Sequence, residues 1–207
     1  MCRYFGAVIS CLALIFSANI LLCVAQVATF GECVKVDTMQ YFNMESFLGK
    51  WYVIQRFPIW YEHSGKCAYK RFLACGRRIR VEHSFVKDSI QYVLQTNSTY
   101  APGADAVLEF QENNVDPIGI PMTVIATDYN NYALVYGCKY KEDMDLKFLS
   151  AWILSREPLL ADELLHKARM ELNSIPYASA GYLETVAQNC SFHWTALVQA
   201  VNVNGDT

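Results

Sequence analysis

Gly-Lys-Trp-Tyr-Val-Ile-Gln-Arg-Phe, residues 49–57, is the stretch that decides the fold class of this chain. From position 51 onward, one set of residues alternates with a second set: Trp51, Val53, Gln55 and Phe57 with Tyr52, Ile54 and Arg56. Such a two-residue period predicts a β-strand with two different faces. Pro58 ends the strand, because proline has no N–H to donate to a sheet. The regular part of the chain therefore begins with a strand.

Similar stretches follow at a spacing of about ten residues, a pattern typical of all-β domains. They cover residues 68–74, 79–85, 89–95, 106–111, 122–127, 131–140 and 147–155. Glycine, aspartate, asparagine and proline separate them, and connections this short predict antiparallel neighbours. The sequence therefore predicts an all-β fold of about eight strands, either a meander or a sandwich.

After Ser155 the period of the apolar residues changes. Leucine and alanine recur at intervals of three and four residues from Leu160 to Leu172, which predicts one amphipathic helix lying on the sheet. Pro158 is placed to begin this helix, and Pro176 ends it. Residues 182–186 are a candidate for a short additional strand.

Composition excludes two classes of protein. The chain has 207 residues, of which 53% are hydrophobic and 18% charged, and its formal net charge is −3. A disordered chain has fewer apolar residues and more charge, and a nucleic-acid-binding protein is usually basic. The length suits a single domain, and we expect no nucleic-acid partner.

The first 25 residues have the pattern of a cleaved export signal. Arg3 precedes a long apolar run that ends in Cys23-Val24-Ala25, a small-residue pattern suited to cleavage. A transmembrane anchor is the alternative, because the run approaches the length that spans a bilayer. We predict a signal peptide at 1–25 and one secreted domain at 26–207, with a folded core at 33–190 and a tail at 191–207.

Cysteine and asparagine positions support export. Three of the eight cysteines lie in the signal, and the remainder are Cys33, Cys67, Cys75, Cys138 and Cys190. In an oxidising compartment this number predicts two disulfides and one free thiol, although spacing alone does not select the pairs. A zinc site is disfavoured, because no CxxC pair is present and the histidines are dispersed. Asn97 and Asn189 begin glycosylation motifs.

Three short motifs in chain order resemble those of the lipocalin family. Gly49 and Trp51 resemble its G-x-W motif, and residues 127–129 (Thr-Asp-Tyr) resemble its T-D-Y motif. Arg156 resembles the basic residue that precedes the family's helix. The resemblance implies an eight-stranded antiparallel up-and-down β-barrel, or calyx, with one α-helix packed on its outside.

Residues 126–138 and 151–156 narrow the resemblance to the branch that contains apolipoprotein D and Lazarillo. That branch implies disulfides Cys33–Cys138 and Cys67–Cys190, which leaves Cys75 without a partner. The protein is then a monomer or a dimer linked through Cys75.

The same resemblance separates a structural end of the barrel from a ligand-binding wall. At the closed end, it implies a cation–π contact between Arg156 and Trp51. The other residues assigned to this base are Gly49, Thr127, Asp128 and Tyr129. Alternation from Trp51 and Arg156 assigns the interior wall, and the predicted ligand-binding residues are Val53, Phe57, Phe72, Met122, Val124 and Trp152.

The loop after the first strand is unusually apolar. Phe57, Ile59, Trp60 and Tyr61 lie there, and a second apolar loop covers residues 118–121. Such loops at the mouth of a cavity either control ligand entry and dock on a membrane or lipoprotein surface, or fold inward as a lid.

The function predicted first is a secreted carrier of a small hydrophobic ligand such as a fatty acid, sterol or retinoid. The resemblance implies roles in lipid handling and protection from oxidative stress, and no metal or cofactor is expected beyond a bound lipid or bilin. A carrier of a bilin or similar tetrapyrrole pigment is the alternative. A lipid isomerase or peroxidase that uses Cys75 is disfavoured, because alternation from an inward Phe72 points Cys75 outward.

Overall fold

The computed structural model describes residues 26–100 and 106–202 of the chain. The predicted signal peptide at 1–25 lies outside the described residues. Within the two described ranges, no helix is both long enough and apolar enough to cross a membrane.

The described residues form eleven β-strands and two α-helices. The strands are β1 (Val27–Phe30), β2 (Gly49–Arg56), β3 (Lys66–Cys75), β4 (Arg78–Lys87), β5 (Ile90–Thr99), β6 (Val107–Phe110), β7 (Met122–Thr127), β8 (Tyr132–Lys141), β9 (Leu146–Ser155), β10 (Glu184–Thr185) and β11 (Trp194–Gln199). The helices are α1 (Met44–Phe47) and α2 (Asp162–Asn173). Strands β2 to β9 correspond to the eight strands predicted from the sequence.

These eight strands close into a barrel. Each of β2 to β8 pairs antiparallel with the next strand, and β9 returns to pair with β2. A sheet whose first and last strands pair with each other is a barrel rather than a sandwich. The predicted up-and-down barrel is therefore confirmed. The turns at 76–77 and 128–131 lie at the end where β2 begins, and the loops at 57–65 and 111–121 lie at the opposite end, the mouth.

Helix α2 packs on the outside of the barrel, as predicted, although it begins at Asp162 rather than at Pro158. Ala168 and Leu172 on its buried face are fully enclosed against outward-facing side chains of β8 and β9. The protein thus has an outer core between the helix and the barrel, and an inner core inside the barrel.

A β-bulge in β2 reverses the predicted orientation of the end of this strand. The register against β9 shifts between Val53 and Gln55, so that one residue is added and the alternation changes phase. Arg56 consequently faces the interior. The prediction that Phe57 belongs to the interior wall is wrong, because Phe57 lies in the outer core with its ring 5.6 Å from that of Tyr182.

Strand β11 lies beyond residue 190, where the folded core was predicted to end. The prediction that residues 191–207 form only a tail is therefore wrong for β11. Strand β6 is short and pairs with β5 only at Ser98 and Thr99, so the rest of that edge of β5 needs another partner. Strand β11 supplies it by pairing in parallel with residues 90–95. Alternate residues of this segment face inward, and Val198 among them packs against the inner core and completes the wall.

Both implied disulfides are present. Cys33 is joined to Cys138 on β8, and Cys67 on β3 is joined to Cys190. Cys75, at the end of β3, is a free and exposed cysteine. The first disulfide attaches the N-terminal segment to the barrel and the second attaches the segment that leads to β11.

Candidate functional site

Arg156 closes the base of the barrel. Its guanidinium carbon lies 3.7 Å from the centre of the Trp51 ring, and Trp51 donates its indole N–H to the Phe47 carbonyl. The guanidinium also donates hydrogen bonds to the carbonyls of Ser46, Leu48, Lys50 and Tyr129. These contacts join α1, β2 and the 128–131 turn, so the implied base contact is structural.

The turn that contains Thr127, Asp128 and Tyr129 is held by its own side chains. The Asp128 carboxylate accepts N–H bonds from residues 130–132, and Thr127 Oγ1 donates to the Tyr132 carbonyl. Partial burial alone would raise the pKa of Asp128, but these hydrogen bonds hold it below its ordinary value. The turn serves the closed end and lies far from the mouth.

The lower half of the barrel is filled by side chains. The rings of Trp51 and Phe72 lie 5.1 and 5.0 Å from that of Phe47, and Val53 and Val124 are buried in the same inner core. Phe72, Val53 and Val124 thus face inward as predicted, but they pack at the closed end and line neither of the two cavities described next. A direct contact between them and a ligand remains a prediction.

A small inner cavity lies above this filled region. Its volume is about 20 Å³, which holds about one water-sized group. Of the predicted wall residues, Trp152 and Met122 line it. Other residues that line it include Ile59, Tyr61, His83, Thr96, Asp116 and Ser150.

A second and larger cavity, the mouth cavity, lies at the open end. Its volume is about 400 Å³, within the range of about 300–1,000 Å³ that is usual for small-molecule sites. Most of its walls are aromatic or apolar, and His63, Lys87 and Asp88 are its polar lining residues. The aromatic and apolar residues are Trp60, Tyr61, Phe85, Tyr92, Leu94 and Val115. Tyr61 and Val115 line both cavities and therefore separate them.

The loop at residues 57–65 folds inward over the barrel. Ile59 is 2% exposed and Glu62 is 1% exposed, whereas Trp60 between them remains 40% exposed. A 3-10 turn at Trp60–Glu62 gives these alternating directions. The loop therefore has the position of a lid, one of the two roles predicted for it. Docking on a membrane or lipoprotein surface remains a prediction.

Four buried polar residues form a cluster inside the barrel that the sequence analysis did not identify. Glu62 Oε1 accepts a hydrogen bond of 3.0 Å from Lys70 Nζ, and Glu62 Oε2 lies 3.6 Å from Arg56 Nε. Lys70 Nζ also lies 2.7 Å from Nδ1 of His83. None of the four is more than 4% exposed. Each residue belongs to a different segment. Arg56 lies on β2, Glu62 in the 57–65 loop, Lys70 on β3 and His83 on β4.

Protonation in this cluster follows from its contacts. Burial alone would raise the pKa of Glu62, but Lys70 and Arg56 hold it well below its ordinary value. Burial and the charge of Lys70 lower the pKa of His83, which is therefore neutral at pH 7. Since Lys70 donates to Nδ1, the ring proton is on Nε2, which faces Thr96 Oγ1 at 3.4 Å.

The interior position of Lys70 and His83 had a sequence signal. On β3, the alternation that points Phe72 inward also points Lys70 inward, and on β4 His83 shares its face with the buried Val81 and Phe85. Arg56 had no such signal, because its orientation depends on the bulge.

Several polar atoms in the upper barrel lack partners. Within the described part of the chain, Arg56 Nε and Nη1, Glu62 Oε2, Ser150 Oγ and Trp152 Nε1 make no hydrogen bond, although Arg56 Nε and Glu62 Oε2 form an ion pair at 3.6 Å. The Trp152 ring instead lies 4.3 Å from the Lys70 ammonium. Unsatisfied buried polar atoms are uncommon, and a water molecule or an ion is among their usual partners.

The remaining predicted sites lie on the outside. Cys75 is exposed and has Arg80 Nη2 3.8 Å from its sulfur, and it lines neither the inner nor the mouth cavity. Asn97 and Asn189 are exposed, so both are accessible to glycosylation, which remains a prediction.

Comparison with known proteins adds sequence relationships to this geometry. The model of the lipocalin / cytosolic fatty-acid binding protein family matches residues 48–180. Insecticyanin-A of Manduca sexta is 30% identical over 136 residues, which are 63% of this chain and 71% of that protein. The bilin-binding protein of Pieris brassicae is 28% identical over 156 residues (73% and 79%), and apolipoprotein D of Cavia porcellus is 31% identical over 115 residues (53% and 58%).

Solved structures agree on the fold. The insecticyanin of Manduca sexta superposes with a TM-score of 0.70 at 24% identity and covers 83% of this chain and 96% of its own. At that identity the similarity supports the barrel architecture alone.

Proposed function

This chain belongs to the lipocalin family, and we propose that it is a carrier that holds one small hydrophobic ligand in the mouth of its barrel. Its relatives include apolipoprotein D of Cavia porcellus and the Lazarillo protein of Schistocerca americana, the branch to which its motifs pointed. The observation that carries the proposal is the mouth cavity of about 400 Å³, whose walls are mostly apolar and aromatic. Burying an apolar ligand there removes apolar surface of both partners from water.

A lipid is our first choice of ligand, and a bilin is the second. The aliphatic and aromatic walls suit any flat or chain-like apolar molecule. The second choice is favoured by the similarity to a protein that is named for binding bilin. Both ligands would occupy the same cavity.

A ligand that extends below the mouth cavity requires part of the lid to move. Tyr61 separates the mouth cavity from the inner cavity, and the inner cavity as it stands holds about one water-sized group. A ligand longer than the mouth cavity would displace the Tyr61 ring and extend toward Trp152.

A carrier is favoured over an enzyme. The thiol of Cys75 was the residue considered for catalysis, and it lies on the outer surface away from both cavities. We further propose that the protein is secreted, because two disulfides persist in an oxidising compartment.

Binding is tested by titrating the delipidated protein with palmitic acid, cholesterol, retinol and biliverdin. At least one should saturate near one ligand per chain, and a visible absorbance band on protein purified from its source would identify a bilin. Phe85→Ala removes a mouth-cavity wall and should weaken binding about tenfold, since a buried Phe side chain contributes about 1.5–3 kcal/mol.

Phe30→Ala is the matched control, because Phe30 is 75% exposed on β1. It should leave the affinity unchanged. Absence of saturable binding by all four ligands, or equal affinities for the Phe85 and Phe30 variants, would exclude this site as proposed.

A further inference from the structure

Strand β11 covers the edge that the short β6 leaves open on β5, and it thereby presents an edge of its own. Among residues 26–100 and 106–202, no strand pairs with the side of β11 that points away from β5. Backbone groups of successive residues in a strand point to opposite sides, so about half of the N–H and C=O groups of residues 194–199 face this open edge. Such groups form hydrogen bonds with a further strand when one is available.

The segment that carries the open edge also exposes large apolar side chains. Phe192 is 44% exposed, Trp194 75%, Leu197 59% and Val201 64%. Within the described part of the chain, no other stretch of ten residues exposes as many large apolar side chains. A concentration of this kind is typical of a surface that contacts another molecule.

The open edge lacks the features that usually prevent one strand edge from pairing with another. These features are lysine, proline, a bulge or a very short strand. Residues 194–202, Trp-Thr-Ala-Leu-Val-Gln-Ala-Val-Asn, include no charged residue, no proline and no glycine. By contrast, the outer strands β1 and β10 are four and two residues long, and β10 begins with Glu184.

Both ends of the segment are attached to the barrel. Cys190 is joined to Cys67 before β11, and Asn202 pairs with Asn113 after it. The strand is therefore already extended before a partner arrives, and association costs little conformational entropy.

We propose that β11 pairs antiparallel with β11 of a second copy of this chain, so that two barrels form a noncovalent dimer. A second copy offers an edge of the same length, and a two-fold axis lets each edge satisfy the other. The edge has no charge, so like charges do not oppose each other in this pairing. A lipid surface fits less well, because backbone groups at an open edge find no hydrogen-bond partners in hydrocarbon.

The backbone pattern restricts the position of the two-fold axis. Residues opposite each other in an antiparallel pair either both direct their backbone groups at the partner or both direct them away. In a symmetric pair, one residue must therefore stand opposite its own copy. An axis at Leu197 pairs residues 195–199 of both molecules and removes the exposed Leu197 side chain and the partner's Leu197 from water.

The test measures the oligomeric state of the secreted mature chain by sedimentation velocity over a range of concentrations. Every protein carries Cys75→Ser, because Cys75 is exposed and a disulfide through it would also give a dimer. This parent protein should change from monomer to dimer as its concentration rises. Amide hydrogen exchange of residues 194–199 should be slower in the dimer than in the monomer, whereas exchange of β1 should be the same in both.

Two leucine variants locate the contact. Leu197→Asp should weaken the dimer at least about tenfold, because it removes an apolar contact and places two carboxylates opposite each other. As a monomer it should be as stable as its parent, since Leu197 points to solvent. Leu159→Asp is the matched control, the same change at a leucine that is 83% exposed between β9 and α2. It should dimerise as its parent does.

Four outcomes would overturn the proposal. A parent protein that stays monomeric at every concentration measured excludes the dimer, and a dimer that Leu197→Asp leaves intact is joined through another surface. Equal weakening by Leu159→Asp assigns the association to non-specific apolar contact. Dimerisation without slower exchange at residues 194–199 excludes strand pairing. None of these results bears on the proposed carrier function, which is tested by ligand titration.

Discussion

The ammonium nitrogen of Lys70 lies 4.3 Å from the centre of the Trp152 ring, inside the barrel. Burial lowers the pKa of Lys70, whereas Glu62 Oε1, 3.0 Å from its Nζ, opposes this shift and favours the charged form; the ring adds a weaker electrostatic contact. Glu62 belongs to the lid. The same contacts therefore hold the lid closed and neutralise part of the interior charge.

Lys70→Met should destabilise the protein by about 3–5 kcal/mol, because it leaves the buried Glu62 carboxylate without its main partner. Urea denaturation followed by circular dichroism measures this change. Lys70→Met combined with Glu62→Gln should recover part of the loss. The control is Arg71→Met, which breaks an exposed ion pair with Glu82 and should cost at most about 1 kcal/mol. Similar losses of stability in Lys70→Met and Arg71→Met would contradict the role of Lys70 as the main partner of the buried Glu62 carboxylate.

Burial and Lys70 lower the pKa of His83 in the folded protein, so below about pH 6.5 the unfolded chain binds a proton at this residue more readily than the folded chain does. Stability should therefore decrease as the pH falls from about 6.5. A second loss should begin near pH 4.3, roughly the ordinary pKa of glutamate. Glu62 has a pKa held below that value in the fold, since Lys70 and Arg56 outweigh its burial, so its stabilisation disappears on acidification.

Urea denaturation between pH 8 and pH 4 measures this profile. His83→Gln should flatten it between about pH 6.5 and pH 5, where the unfolded histidine takes up its proton. His63→Gln, at an exposed position on the same end of the barrel, should leave the profile as it is. An unchanged profile in the His83 variant would assign the acid sensitivity elsewhere.

Tyr61→Ala should speed both ligand association and ligand release, because its ring separates the mouth cavity from the inner cavity. Stopped-flow fluorescence measures both rates, and we expect each to rise several-fold. Tyr41→Ala is the control, since Tyr41 is 99% exposed near the closed end. Unchanged rates in the Tyr61 variant would mean that ligands enter by another route.

Val198→Asp on β11 should destabilise the protein by about 1 kcal/mol or more, because Val198 is half-buried against the inner core and a carboxylate there would lose part of its hydration. Leu197→Asp, one residue earlier, points to solvent at 59% exposure and should change stability by less than about 0.5 kcal/mol. Thermal denaturation of both variants compares the two faces of the strand. Equal effects would show that β11 does not complete the barrel wall.

Arg156→Met should lower the free energy of unfolding by about 2–4 kcal/mol through loss of the Trp51 contact and of the hydrogen bonds to backbone carbonyls. Ligand affinity of the folded variant should stay within about twofold of the unsubstituted protein, the usual effect of a change outside the binding site. Chemical denaturation and calorimetry measure the two quantities. Arg77→Met, in the exposed turn after β3, should alter neither. A selective loss of affinity in Arg156→Met would give the base a role in binding.

Much of the closed end could be predicted from the sequence. Gly49, Trp51 and Arg156 are short-range features of strand ends, and the family resemblance supplied the contact between them. The disulfide pairs came from the same resemblance, because spacing alone allows several pairings of Cys33, Cys67, Cys138 and Cys190. Lys70 carried a signal in its strand parity, but its meaning depended on the inward direction of Glu62, which belongs to the irregular 57–65 loop.

The amino-acid sequence by itself determined the eight strands, the outer helix and the closed base, because these follow from local alternation, from helical periodicity and from motifs at strand ends. Only the tertiary structure decided the inward direction of Arg56, the outward direction of Phe57 and the incorporation of β11. A single bulge residue changes the phase of every residue after it, and an unpaired strand edge is visible only once β6 is seen to be short. The cavity likewise depends on how far the 57–65 loop enters the barrel. That depth is held by the ion pairs of Glu62 with Arg56 and Lys70, and these form only when the bulge and the strand pairing turn both side chains inward.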